Sequence, residues 1–230
     1  MNGILLIDKP LTWTSFDVVN YVRKIVAQAE EKKPKNVKVG HTGTLDPMAT
    51  GLLVLLIGKD YTRKAEQLTK LDKTYEVVMK LGETSTTGDA EGEKSTVSDS
   101  APSKAAVEQA LQQFLGETSQ VPPVYSAIKV GGQRAYDLAR AGKSVAMEPR
   151  QVRIDRLELT NYEYPYVSFV CDVGSGTYIR SLVEDIGKVL ETGAYTTELH
   201  RTKIGKYDIK NAYSISELNT DSLAQDILTI

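Results

Sequence analysis

GHTGTLDPMATGLLVLLIG, residues Gly40–Gly58, sets a glycine-punctuated loop directly ahead of an apolar run. The first twelve residues hold three glycines, one histidine and one carboxylate, and Leu52–Ile57 are apolar without interruption. Glycines allow turns that other residues resist. A short apolar run bounded by glycines has the length of a fully buried strand. The loop is not a phosphate-binding loop, because that motif ends in Gly-Lys-Ser/Thr and Gly51 is followed by Leu52. Asp46, fixed before Pro47 at the mouth of the strand, is well placed to project from a rigid scaffold, as catalytic loop residues often do. By composition alone the same stretch is equally well a plain connection.

Upstream, GILLIDKP reads as a short buried strand stopped by a proline. SFDVVNYVRKIVAQA then carries apolar residues at helical spacing, with Ser15 as the candidate N-cap. The polar, lysine-rich EEKKPKNVK between this helix and Gly40 is loop. Downstream, YTRKAEQLTKLD has helical character and KTYEVVMKLG returns as a strand. Glu83 to Ser103 is rich in Ser, Thr, Gly and acids and reads as an exposed loop or hairpin. APSKAAVEQALQQFLG is a helix ending at Gly116, and GQRAYDLARAG a second, compact one. QVRIDRLELTNYEY and VSFVCDV alternate as paired strands, GTYIRSLVEDIGKVLE is a helix, and AYTTELHRTKIGKYDI a strand pair. Strands and helices intermingle without regular βαβ alternation, so the fold class is α+β.

The 230 residues, 41% hydrophobic and 25% charged, have the balance of a globular protein able to bury a sizeable core. The apolar run at the N-terminus is too short for a signal sequence or a membrane span, which points to the cytoplasm. Cys171, the single cysteine, sits in an alternating strand and reads as a buried structural thiol. His41 and His200 are far apart and there is no second cysteine, so no zinc-ligand spacing exists and no metal is expected. The formal net charge of −2 argues against nucleic-acid binding by bulk charge, but the distribution is uneven. Residues 1–73 carry 12 Lys and Arg against 8 acids, whereas residues 74–125 carry 3 against 8. Phosphate contacts need only local positive charge.

GHTGTLDPMATGLL resembles the signature of the TruB-type pseudouridine synthases, with Asp46 at the position of the family's catalytic aspartate. Four further blocks resemble that family in order: GILLIDKPLTWTSFDVV, KTYEVVMKLGETSTTGDAEG, VPPVYSAIKVGGQRAYDLARAG and GSGTYIRSLVEDIG. Together they span most of Gly3 to Gly187. The resemblance implies a central mixed or antiparallel sheet with flanking helices and an RNA-binding cleft. It implies that Tyr75 packs against the target base, that Tyr178 lies in the substrate cleft and that Arg180 pairs with the aspartate. Leu199 matches a cleft leucine. His41 matches the histidine that enters the RNA loop and holds it open. Taken alone, Tyr75 reads as a packed core aromatic, Leu199 as core and His41 as a solvated loop residue. Arg180 in the first turn of a helix is misplaced against the helix dipole, which favours a functional reading.

The implied activity is isomerisation of a uridine of tRNA, at position 55 in the T loop, to pseudouridine. The reaction exchanges a C–N for a C–C glycosidic bond without change of oxidation state, so no cofactor is expected. The implied partner is the T stem-loop of tRNA, with no membrane and no obligate protein partner, the chain acting as a monomer. Many family members continue into a small C-terminal RNA-binding domain. The expectation here is one catalytic domain over residues 1–210 and a short tail, 211–230. A non-catalytic RNA-folding protein using the same cleft is the alternative, and pure binding gives no reason for a carboxylate facing an anionic ligand.

Overall fold

The strand expected at Leu52 begins three residues earlier, at Ala49, so that the end of the glycine loop is already sheet. In this computed structural model, which describes residues 1–220 with Leu223 and Ile227, the chain opens with β1 (Gly3–Lys9), α1 (Ser15–Ala29), β2 (Val39–His41) and β3 (Ala49–Ile57). Two short helices, α2 (Lys59–Thr62) and α3 (Ala65–Thr69), precede β4 (Lys73–Leu81), β5 (Glu83–Ser85) and β6 (Lys94–Thr96). Then come α4 (Lys104–Gln112), β7 (Gly116–Gln120), β8 (Lys129–Val130), β9 (Gln133–Arg134) and α5 (Ala135–Arg140). The chain continues with β10 (Arg150–Glu163), β11 (Tyr166–Val173), α6 (Ile179–Val189), β12 (Ala194–Ile204), β13 (Tyr207–Asp208) and β14 (Tyr213–Ser214). The class is α+β on a mixed sheet, as the sequence suggested. Among the described residues no helix is long and apolar enough to cross a membrane.

The chain forms two compact units, one of residues 1–75 and 199–230, the other of residues 76–198. In the first, β1 pairs antiparallel with β3 over its whole length, Gly3 opposite Ile57 and Lys9 opposite Gly51. The end of β12 lies parallel to the start of β3, with Leu199 opposite Ala49 and Arg201 opposite Gly51. Both faces of the β1–β3 pair are covered, which explains why these strands read as unbroken apolar runs. Leu5, Ile7, Leu53 and Leu55 meet Val18, Val22 and Val26 of α1 on one face. Ile4, Leu6, Val54 and Leu56 meet Tyr61, Ile204 and Tyr207 on the other. Each such fully buried side chain contributes about 1.5–3 kcal/mol. Leu218 and Leu223, from the stretch expected as a tail, are buried in the α1 cluster. Of that stretch, residues 221–222, 224–226 and 228–230 lie outside the described residues.

The N-cap of α1 is Thr14 rather than Ser15. Thr14 is extended and accepts from the Asp17 amide at 3.0 Å, while the Asp17 carboxylate accepts from the Thr14 amide at 2.9 Å. This reciprocal box satisfies two amide donors that Ser15, already helical, could not reach.

In the second unit, β10 pairs antiparallel with both β7 and β11, and Cys171 on β11 is fully buried. α4 stops at Gln112, and Gly116, with φ +90°, begins β7 instead of closing the helix. The polar segment after β4 forms the expected β5–β6 hairpin, yet Asp89 within it is buried.

Candidate active site

Asp46 stands half-buried on a loop whose backbone is fastened from several sides, all within the first unit. His41 closes β2 opposite Leu55, and the Thr42 amide donates to the Val54 carbonyl at 3.0 Å. The buried Ser15 hydroxyl accepts from the Leu45 amide at 2.8 Å and donates to the Leu45 carbonyl at 3.0 Å. The Thr12 amide donates to the Pro47 carbonyl at 2.9 Å, and the Ala49 amide to the Asp46 carbonyl at 3.1 Å. On the far side, Arg201, 1% exposed, donates through Nε to the Leu52 carbonyl at 2.8 Å and through Nη2 to the Gly43 carbonyl at 3.1 Å. Gly51, at φ +100°, is required here, since a Cβ would lie 2.4 Å from the Arg201 carbonyl oxygen.

Three cations are buried around this loop: Lys9, Lys73 and Arg201. The Lys9 ammonium donates to the carbonyls of Pro10 (2.9 Å) and Trp13 (2.6 Å), and that of Lys73 to Thr69 (3.0 Å) and Leu71 (2.6 Å). Burial pulls Lys9 down to about 8. The Asp46 carboxylate opposes that fall and the Arg201 charge adds to it. Burial and then Arg201 bring Lys73 to about 8 as well. The same two causes lower His41, whose buried Nδ1 has no hydrogen-bond partner among the described residues. His41 is therefore a neutral, largely desolvated ring at neutral pH rather than a solvated loop residue. Tyr75 lies on the buried face of β4, and Leu199 is buried in β12 beside Ala49.

In the second unit Tyr178 is the N-cap of α6 without a side-chain cap. Its backbone is clamped by Gln120, which accepts from the Tyr178 amide at 2.8 Å and donates to its carbonyl at 3.1 Å. Arg180, 5% exposed, donates to the carbonyls of Thr87 and Tyr125, each at 2.8 Å, and faces the Asp89 carboxylate at 3.5 Å. These acceptors offset its unfavourable place at the positive end of the helix. One turn on, burial pushes the Glu184 carboxyl up, with Lys188, Asp185, Arg180 and Asp89 as weaker influences.

The structure thus gathers His41, Asp46, Tyr75 and Leu199 in one unit and Tyr178 and Arg180 in the other. Sequence reasoning passed over Asp89, Gln120, Lys9, Lys73 and Arg201. The available signal was a charge in a buried register: Lys9 ends an apolar strand, and Arg201 takes an inward position two residues after Leu199.

A family model described as TruB family pseudouridylate synthase, N-terminal domain, matches residues 30–179. The chain belongs to the TruB family. A second model, the tRNA pseudouridylate synthase B C-terminal domain, matches residues 180–227, which hold most of α6 and β12 to β14. The chain is 45% identical to the tRNA pseudouridine synthase B of Pseudomonas fluorescens over 218 residues, 95% of this chain and 68% of the relative. It is 42% identical to that of Flavobacterium johnsoniae over 214 residues, 93% of each. Among solved structures, a chain of a Cbf5–Nop10–Gar1 complex matches with TM-score 0.71 and 28% identity, over 94% of this chain and 53% of that one. The chain therefore spans about half the length of that structural relative. Among the described residues, the Asp46 loop and the start of the Arg180 helix are two places where buried charge is held by hydrogen bonds to backbone carbonyls.

Proposed function

We propose that the chain isomerises a uridine of tRNA, position 55 in the T loop, to pseudouridine, with Asp46 as the catalytic carboxylate. The observation that carries this reading is the fastening of the loop backbone at Leu45, Pro47 and Gly43 by Ser15, Thr12 and Arg201, which fixes the position of Asp46, the acidic residue of that loop. A reaction at a base first requires that base to leave the stack, at a cost of a few kcal/mol. His41, neutral and desolvated, is suited to fill the vacated space and offset part of that cost.

In the reaction the C1′–N1 bond breaks, uracil turns and C5 bonds to C1′, the proton on C5 is lost to a base and N1 takes up a proton, so that the atoms balance. Asp46 serves either as nucleophile at C1′ or as acceptor of the C2′ proton, and both routes use the ionised carboxylate. Lys9, whose charge acts on Asp46, favours that form. Arg180 is the second cation we assign to the aspartate, with Asp89 and two carbonyls fixing its guanidinium. Tyr75 offers a ring to the extruded base, and Tyr178 and Leu199 complete the substrate contacts. We assign the T stem-loop as the RNA element recognised, by a monomer acting in the cytoplasm. The alternative, an RNA-folding protein without catalysis, is not favoured, because folding alone gives a carboxylate on a fastened loop no task.

The test is tritium release from tRNA transcript labelled at C5 of uridine. We expect one tritium per tRNA and pseudouridine at position 55. Absence of release at stoichiometric enzyme overturns the reading.

A further inference from the structure

Between α1 and the segment leading into β2 lies a groove of about 510 Å³, and its lining includes Arg23, Lys24, Lys35 and Lys38. Among the described residues no acidic side chain lines it. Among the described residues no carboxylate forms an ion pair with Lys24, Lys35 or Lys38. The nearby Glu30 is already engaged by the N-terminal amine and Lys32. Four cationic residues thus line one space with no carboxylate among the described lining residues, in a chain whose total charge is −2. Such an arrangement costs self-repulsion and is relieved by an external anion.

The groove is also partly rigid. Arg23 donates to the Asn20 side chain at 2.7 Å and to the Val39 carbonyl at 3.3 Å, so its guanidinium is held in place. Its guanidinium carbon lies 5.9 Å from the ring centroid of Phe16, an aromatic that is 60% exposed. Phe16, Asn20, Arg23 and Lys24 share one side of α1, opposite Val18, Val22 and Val26 in the core. Cations that track a backbone beside an exposed aromatic are the arrangement that binds nucleic acid without reading its sequence. The groove is moreover tied to the Asp46 loop. Ser15, next to Phe16, bonds Leu45, and Val39 in the groove is seven residues from Asp46, at most about 25 Å of extended chain.

We infer that this groove binds the phosphodiester backbone of the RNA substrate, flanking the nucleotide that reacts at Asp46. The inference rests on the proposed activity for the identity of the RNA, but its test does not. Lys24, Lys35 and Lys38 are exposed, so a K24Q/K35Q/K38Q variant keeps the fold, checked by its unfolding midpoint. The affinity of the full chain for tRNA transcript is measured across a salt series. Losing three phosphate contacts should lower the slope of log affinity against log salt by about 2, and weaken binding roughly tenfold at moderate salt. The control replaces three lysines already ion-paired elsewhere, K70Q/K104Q/K188Q, and should change the slope far less. An unchanged slope in the groove variant overturns the inference. So does an equal loss in the control, which would reduce the effect to net charge. Tritium release from wild type decides the activity separately, so a groove that fails this test leaves the catalytic reading standing.

Discussion

The loop that carries Asp46 and the helix start that carries Arg180 each hold a charged side chain still, by opposite means. At Asp46 the protein grips the backbone: Ser15, Thr12 and Arg201 occupy the peptide groups of Leu45, Pro47 and Gly43, and Asp46 itself stays half-buried. At Arg180 the helix fixes the backbone and the protein grips the side chain, with two carbonyls and Asp89 around a guanidinium that is 5% exposed. Under the proposed roles, a group that reacts needs a fixed origin, whereas a group that acts through its field needs the charge itself to be fixed.

If that contrast is right, Asp46→Asn has the largest effect. The amide keeps the shape and the loop anchors and removes the reacting group. We expect turnover to fall by about 10³ or more with RNA binding nearly intact, measured by single-turnover tritium release beside a binding titration. A rate within about tenfold of wild type breaks the assignment.

Arg180→Lys comes next. An ammonium cannot hold the planar geometry that reaches two separate carbonyls and a carboxylate, so we expect a loss of about a hundredfold in turnover with the fold retained. A lysine variant as active as wild type would show that any cation suffices there. The comparison would then lose its second half.

Ser15→Ala tests the backbone grip alone. It removes both bonds to Leu45 and leaves a buried amide and carbonyl unmet, at about 1–3 kcal/mol. The expected result is a lower denaturant midpoint and a drop of about tenfold in turnover, the change lying in kcat rather than KM. Unchanged kcat with lowered stability would reduce Ser15 to a fold residue.

The smallest effect is in pH-dependent stability. Folded Lys9 loses its proton near pH 8 and the unfolded side chain near 10.5, so between these values the unfolded chain binds more protons and stability rises with pH. Lys73 contributes in the same direction. Buried Tyr195 and Tyr207 titrate higher folded than unfolded and act in the opposite sense near pH 10, which sets the useful range at about pH 7.5–9.5. Lys9→Met should remove part of the rise, read as a flatter denaturant midpoint across that range. An identical pH dependence in both proteins would mean that Lys9 is hydrated when folded.

These tests also mark what could be read from the sequence. β1, α1, β3 and the β10–β11 pair were legible because their apolar periods are long and unbroken. The limits of α1 slipped by one residue because Ser15 and Thr14 are chemically equivalent caps, and only the structure reveals that Ser15 is committed to Leu45. The helix expected between β3 and β4 divides into α2 and α3, where Arg63 and Lys64 close one and start the other. Asp46 and Arg180 were legible because their neighbours in sequence form recognisable motifs. Asp89 and Arg201 were not, because what defines them is burial against residues far away in the chain, and polar residues are exposed by default. Asp89 lies in a stretch that otherwise reads as surface, and its burial follows from Arg180, 91 residues further on.

The first unit is built from both ends of the chain, with residues 76–198 intervening, and this sets an order of events during synthesis. At about 5–20 residues per second the ribosome needs roughly 6–25 s to make the 123 intervening residues. For that interval the nascent chain already contains Asp46, while the guanidinium that binds the carbonyls of Gly43 and Leu52 does not yet exist. The Asp46 loop must wait for residue 201. A chain that stops short of Arg201 would thus carry Asp46 without that brace, and the loop is fastened only once synthesis has passed residue 201.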